Sequence, residues 1–147
     1  MELQDEIRIG VSKERLYAAL NDPEILKVCI PGCESLEQTS PTEMDAVVAL
    51  KVGPVKARFN GSVVLDRSGA PDAMSLVGEG KGGAAGFAKG GADVELLDDG
   101  DGTILRYTAK AQTGGKIAQL GSRLIQSTAK KLSAKFFENL ADQVAPP

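Results

Sequence analysis

The sequence predicts an α+β protein: a curved antiparallel sheet of about six to seven strands around one long C-terminal helix, with two short helices after the first strand. Three observations carry this. The N-terminus alternates with period two; alternating segments separated by Gly and Pro turns run from about residue 33 to 113; and after Gly114-Gly115 the period becomes helical.

Leu3, Ile7 and Ile9 share one parity with Glu6 and Arg8 between them, the pattern of a half-buried strand. Ser12 suits the N-cap of a short helix over Lys13–Leu20, whose apolar side is Leu16, Ala19 and Leu20. Asp22-Pro23-Glu24 starts a second helix with a cap, a proline in the first turn and an acid behind it, and Pro31-Gly32 must end it. Met44, Ala46, Val48, Leu50 and Val52 then alternate until Gly53-Pro54 turns the chain. Val55, Ala57, Phe59, Gly61, Val63 and Leu65 face one way, and Lys56, Arg58, Asn60 and Ser62 the other. Residues 72–82 and 91–97 read as two further strands, 98–102 as a turn and 103–113 as the last strand. Turns this short join antiparallel neighbours into a meander. In the final segment Gly121, Ile125, Thr128, Ala129, Leu132, Phe136 and Leu140 line one face of a helix of about thirty residues, which must lie against the concave side of the sheet. This is the helix-grip arrangement, with residues 1–147 as one domain.

Composition narrows the function. The chain has no His, which removes the commonest general base and metal ligand and forbids Ser–His and Cys–His nucleophiles. No convergent acid–base pair replaces them, so the expectation is a protein that is not an enzyme and needs no cofactor or metal. A net charge of −3 argues against nucleic acid as partner. The acidic, alternating start is unlike a signal peptide, and no apolar run spans a bilayer, so a cytoplasmic protein is expected. Aromatic residues are 4% with no Trp, while glycines number 17, so a core of small side chains leaves space inside.

Gly78-Glu79-Gly80-Lys81-Gly82-Gly83 matches the spacing of a dinucleotide-binding loop, but no helical period follows it. Period-two geometry reads it differently: Leu76, Gly78, Gly80 and Gly82 share one strand face and strip it of side chains. Strand glycine marks close approach by a ligand or another backbone, so either the long helix packs tightly there or a cavity remains. Gly121, on the inward helical angle, poses the same choice. The candidate ligand face is Val48, Phe59, Leu76, Gly78, Gly80, Tyr107, Gly121, Ile125 and Thr128, with Tyr107 and Thr128 as polar handles. Cys29 and Cys33 lack further ligands for a metal and read as buried thiols beside a Pro-Gly turn. Asp98, Asp99 and Asp101 read as a solvated hairpin, since the calcium-loop register does not fit.

Asp22-Pro23-Glu24-Ile25-Leu26, followed by Cys29-Ile30-Pro31-Gly32-Cys33, resembles the N-terminal signature of the carbon monoxide dehydrogenase G-subunit family. Residues 115–123 and Phe136-Phe137-Glu138-Asn139-Leu140 resemble its C-terminal helix. The resemblance covers essentially the whole chain. It implies the START-like (SRPBCC) superfamily, a lipophilic ligand such as a respiratory quinone between sheet and helix, and molybdenum hydroxylase subunits as partners. It also implies an accessory role in recruitment, assembly or electron transfer at the membrane. Some relatives carry an apolar C-terminal tail, whereas this chain stops at Ala145-Pro146-Pro147, so only peripheral attachment at the inner face is expected.

Lys116, Arg123 and Lys130 recur every seven residues, opposite the apolar helix face. Residues 114–147 carry 5 basic and 2 acidic groups, and residues 1–113 carry 12 and 18. The stripe either docks on anionic lipid or an acidic partner, or is a solvated face.

Overall fold

The N-terminal alternation becomes strand β1 (Glu2–Ile9), with Leu3 and Ile9 buried. The computed structural model describes residues 1–145; Pro146 and Pro147 of the expected domain lie outside the described residues. Helix α1 (Lys13–Leu20) starts where the Ser12 hydroxyl accepts from the Arg15 N–H at 3.2 Å. Helix α2 (Pro23–Cys29) starts where the Asp22 carboxylate accepts from the Glu24 N–H at 2.9 Å. Gly32 then turns the chain at φ +77° directly against the Ala49 carbonyl, where a Cβ would collide.

Six strands follow: β2 (Cys33–Ser40), β3 (Glu43–Val52), β4 (Val55–Asp66), β5 (Ala73–Lys81), β6 (Phe87–Asp99) and β7 (Gly102–Gly114). The sheet order β1-β7-β6-β5-β4-β3-β2 is antiparallel throughout, so the meander runs from β2 to β7 and β1 closes onto β7. Strand β6 begins at Phe87, four residues before the expected start. Its first residues pair in unbroken register with both neighbours, from Phe87 opposite Lys81 and Gly114. Its glycines and alanines carry no alternation that marks a strand in the sequence.

One expectation is corrected. The helical segment is not continuous from residue 116: a 3₁₀ turn, Lys116–Leu120, is separated from helix α3 (Ser122–Val144) by Gly121 at φ +94° and ψ 150°. Gly115, at φ +78°, makes the same joint before the turn. Glycine adopts these angles without the Cβ clash that any other residue would suffer.

The core divides in two. A main cluster joins α1, Cys29 at the end of α2, the far ends of the strands and the end of α3, with Leu16, Leu105 and Leu140 fully buried. The Thr103 hydroxyl, buried within it, donates to the Val11 carbonyl at 2.7 Å. A smaller cluster of Phe59, Ala85 and Ile117 closes the other end, under the 3₁₀ turns Gly83–Ala85 and Lys116–Leu120.

Candidate functional site

The ladder register brings most of the expected ligand face together. Val48 lies opposite Phe59, Leu76 opposite Leu65 and Ala92, Gly78 opposite Val63 and Gly90, Gly80 opposite Gly61 and Ala88, and Tyr107 opposite Val94. All share the face turned toward α3. The same register places Gly61, already expected on the Phe59 face, beside Gly80, and adds Ala88, Gly90 and Ala92 of β6 and Ala109 and Ala111 of β7, which sequence reasoning did not assign to the ligand face.

This small-residue surface is not filled by the helix. A Cβ built on Gly80 would meet Phe59 and Asn60 at 3.7 Å or more, and nothing of α3. At Gly78 the nearest atoms belong to Ser62 and Val63, at Gly61 to Glu79 and Gly80, all on neighbouring strands. Close helix packing, one of the two readings of the glycines, is therefore not what they serve. Between Ile117 and Leu140 no residue of α3 is buried: Ile125 and Thr128 are half-buried, as are Val48, Leu76, Gly78 and Gly80 across from them. The closest backbone approaches of α3 are to α1, α2, β1 and β3. The helix is thus held at β1, at β3 and on the two short helices, and the half-buried small-residue surface between the two core clusters forms a shallow hollow beneath it.

Tyr107 stands at the border of the hollow, stacked on Phe137 of α3 with ring centroids 5.0 Å apart and an interplanar angle of 29°. Burial pushes its phenol above the ordinary value; nearby Ser133 opposes this and the Asp5 carboxylate adds to it. Asp5, directly opposite Tyr107 on β1, is the one charged residue on a strand face otherwise made by Leu3, Ile7 and Ile9. A groove of about 740 Å³ opens here between β1 and α3, lined by Leu3, Asp5, Ile7, Tyr107, Lys130 and Phe137 among others. That volume lies in the range of small-molecule sites.

Several candidates differ from expectation. Gly121 is not on the inward face of a helix; it is the exposed joint before α3, with nothing within 4 Å of where a Cβ would stand. The Thr128 hydroxyl donates to the Leu124 carbonyl at 2.9 Å, which leaves it only as an acceptor toward the hollow. Phe59 is buried by Ala85 and Ile117, so it forms the end wall. Lys116, Arg123 and Lys130 do not form one helical stripe, because the break at Gly121 puts Lys116 on a separate turn. Arg123 and Lys130 share a surface hollow with Lys131, and Lys130 also flanks the β1 groove.

Cys29 ends α2 and is fully buried, while Cys33 opens β2 with its thiol donating to the Ser35 carbonyl at 3.3 Å. They do not share a helix face. Burial raises the pKa of both thiols. The Asp98–Asp101 hairpin is a clasp: Arg8 donates to Asp99 at 2.7 Å and to Asp101 at 2.9 Å, and Lys13 reaches Asp98. Among the described residues no three His, Cys, Asp or Glu side chains converge on a common point, and no helix is long and apolar enough to cross a membrane.

A curved seven-stranded antiparallel sheet gripping a long C-terminal helix defines a protein of the helix-grip fold. Within that class, the chain belongs to the CoxG family, the G-subunit family of carbon monoxide dehydrogenase, which it matches over residues 6–145. A conserved protein from Geobacillus kaustophilus superposes with a TM-score of 0.92 at 28% identity, covering 98% of this chain and 95% of its own. The ZhuI aromatase/cyclase from Streptomyces sp. R1128 has a TM-score of 0.72 at 9% identity, covering 98% and 93%. Ara h 8.0201 has a TM-score of 0.66 at 15% identity, covering 98% and 97%. The last two likenesses are of fold alone. No curated protein matches the sequence. Family membership supports an accessory role beside a carbon monoxide dehydrogenase.

Proposed function

We propose that this protein carries an apolar small molecule between sheet and α3, and serves a carbon monoxide dehydrogenase-type molybdenum hydroxylase as a non-catalytic accessory at the inner face of the membrane. The observation that carries the reading is the glycine- and alanine-lined sheet face that α3 spans without filling. An apolar surface left half-exposed in a folded chain is stabilised by an apolar occupant, through the area it removes from water. A respiratory quinone is the ligand of this reading: its tail would lie on the small-residue surface, and the Tyr107 phenol would donate to a ring carbonyl. On this reading Val48, Leu76, Gly78, Gly80, Tyr107, Ile125 and Thr128 contact the ligand and Phe59 is the end wall, while Gly121 takes no part. Lys116 and Arg123, on either side of the joint at Gly121, supply positive charge for peripheral docking on anionic lipid or a partner.

Titration of delipidated protein with a short-chain ubiquinone analogue tests the ligand class. With no Trp and only 2 Tyr in the chain, tyrosine emission reports on the site. Saturable quenching in wild type, weakened in Gly80→Leu where Tyr107 is kept, is expected. Linear, non-saturating quenching would exclude a quinone.

A second reading, an assembly factor without a small-molecule ligand, is favoured by the outer face of the sheet. There Val64 and Val77 pair across β4 and β5 at 47% and 60% exposure, in an open hollow of about 590 Å³. Pull-down with the hydroxylase, comparing wild type with Val64→Ser/Val77→Ser, separates a contact through this face from ligand carriage.

A further inference from the structure

The fold sorts charge by end, which is not legible along the chain. The β3–β4 turn at Gly53-Pro54, the β5–β6 connection at residues 82–86 and the β7–α3 connection at residues 115–121 all lie at one end of the sheet. Around them stand Lys51, Lys56, Lys81, Lys89, Lys116 and Arg123, all exposed. Among the described residues only Lys81 has a carboxylate within 4 Å, Glu79 at 3.6 Å. Lys51 and Lys56 are direct cross-strand partners on the outer face, an arrangement of like charges that destabilises a hairpin. At the opposite end Arg8 is paired with Asp99 and Asp101 and Lys13 with Asp72 and Asp98, while Arg15 and Arg67 donate to neutral oxygens of Ala145, Asn21 and Pro41. Between the free cations, the exposed tips are apolar: Pro54, Ala84 and Phe87, the last 42% exposed with its ring laid over Gly114.

We propose that this end, rather than the side of α3, is the face that rests on an anionic bilayer. The surface rests on the peripheral docking proposed above and gives it a location. Lysine and arginine side chains on three separate connections reach lipid phosphates together, while Phe87 and Pro54 enter the headgroup region. Unpaired cations beside exposed apolar tips match an interface that is anionic at its surface and apolar a few ångströms below. A bilayer also supplies the counter-charge that the Lys51–Lys56 pair lacks within the chain. Docked this way, the small core cluster of Ala85 and Ile117, which closes the ligand hollow, faces the lipid.

Co-sedimentation with phosphatidylglycerol/phosphatidylcholine vesicles, against pure phosphatidylcholine, tests the surface on full-length protein. Wild type is expected to partition at least about tenfold more strongly onto the anionic vesicles, with the preference fading as salt screens the charge. Lys51→Glu/Lys56→Glu/Lys89→Glu should abolish the preference, whereas Lys130→Glu/Lys131→Glu on the side of α3 should reduce it less than about threefold. Should the triple variant unfold, Lys51→Glu alone is the substitute, since it converts a like-charge pair into an opposite one and should melt no lower than wild type. Absence of any anionic preference in wild type would overturn docking on lipid altogether. A preference kept by the triple variant but lost in Lys130→Glu/Lys131→Glu would overturn this surface and leave docking through α3.

Discussion

Tyr107 and Phe137 stack at 5.0 Å across the space between β7 and α3, and this contact marks where solid core gives way to the hollow. Phe136 meets Phe137 edge-on at 5.1 Å, so three rings pin the later turns of the helix to the sheet, while its first turns touch the sheet through Leu124 against Gly53 and Gln126 on the Glu2 carbonyl.

Removing the pin should therefore loosen the helix where it borders the β1 groove. Phe137→Ala is expected to destabilise by about 2–3 kcal/mol, below the full cost of a buried phenylalanine because the ring is only half-buried. Tyr107→Phe keeps the stack and should change stability by less than about 1 kcal/mol. Denaturant melts of the two variants check this; equal losses would mean that the phenol, not the ring, holds the contact.

The inward glycines should separate by their neighbours. A Cβ on Gly80 has ordinary contacts only, so Gly80→Ala should raise stability by about 0.5–1 kcal/mol through the restriction of the unfolded chain. A Cβ on Gly90 would overlap the Lys110 carbonyl, so Gly90→Ala should destabilise. Gly121→Leu should also destabilise, because its φ of +94° is closed to side chains whatever space surrounds it. Thermal melts of the three variants give the ordering directly.

These glycines show what was legible and what was not. The caps at Ser12 and Asp22, the Gly53-Pro54 turn and the alternation of β3 and β4 are local signals, and the elements lie where those signals put them. The helical angle assigned to Gly121 failed because residues 116–120 have the same apolar spacing in a 3₁₀ turn as in an α-helix start, and only the backbone angles distinguish them. Gly61 could be placed from the alternation of β4, but Gly90 and the alanines of β6 and β7 could not be placed on the inward face without the register, since a run of small residues leaves no periodic trace. The sorting of lysines to one end depends on which turns are neighbours in space, a property of topology alone.

The thiols offer a test by pH. Burial raises the pKa of Cys29 and, opposed by Lys27 and the Ser35 contact, that of Cys33. At pH 8 the native thiolate fraction is thus below that of free cysteine, and Ellman's reagent should react slowly with Cys33 and not with Cys29 until denaturant is added. Since the raised value disfavours ionisation in the folded state, stability is intact below the ordinary thiol range and falls as pH climbs through it toward the folded value. Rapid labelling of both thiols in the native protein would contradict the buried placement of Cys29.

The central claim is that the space under α3 holds an apolar molecule. Native mass spectrometry of the purified protein, followed by organic extraction, measures this most directly when wild type is compared with Gly80→Leu, whose side chain would occupy the hollow. The predicted result is an adduct of discrete mass on wild type, recovered in the organic phase, and bare chain for a Gly80→Leu variant that melts at or above the wild-type temperature. Bare wild-type chain that also fails to take up an added apolar probe such as 1-anilinonaphthalene-8-sulfonate, together with a destabilised Gly80→Leu, would show a closed interior and contradict the claim.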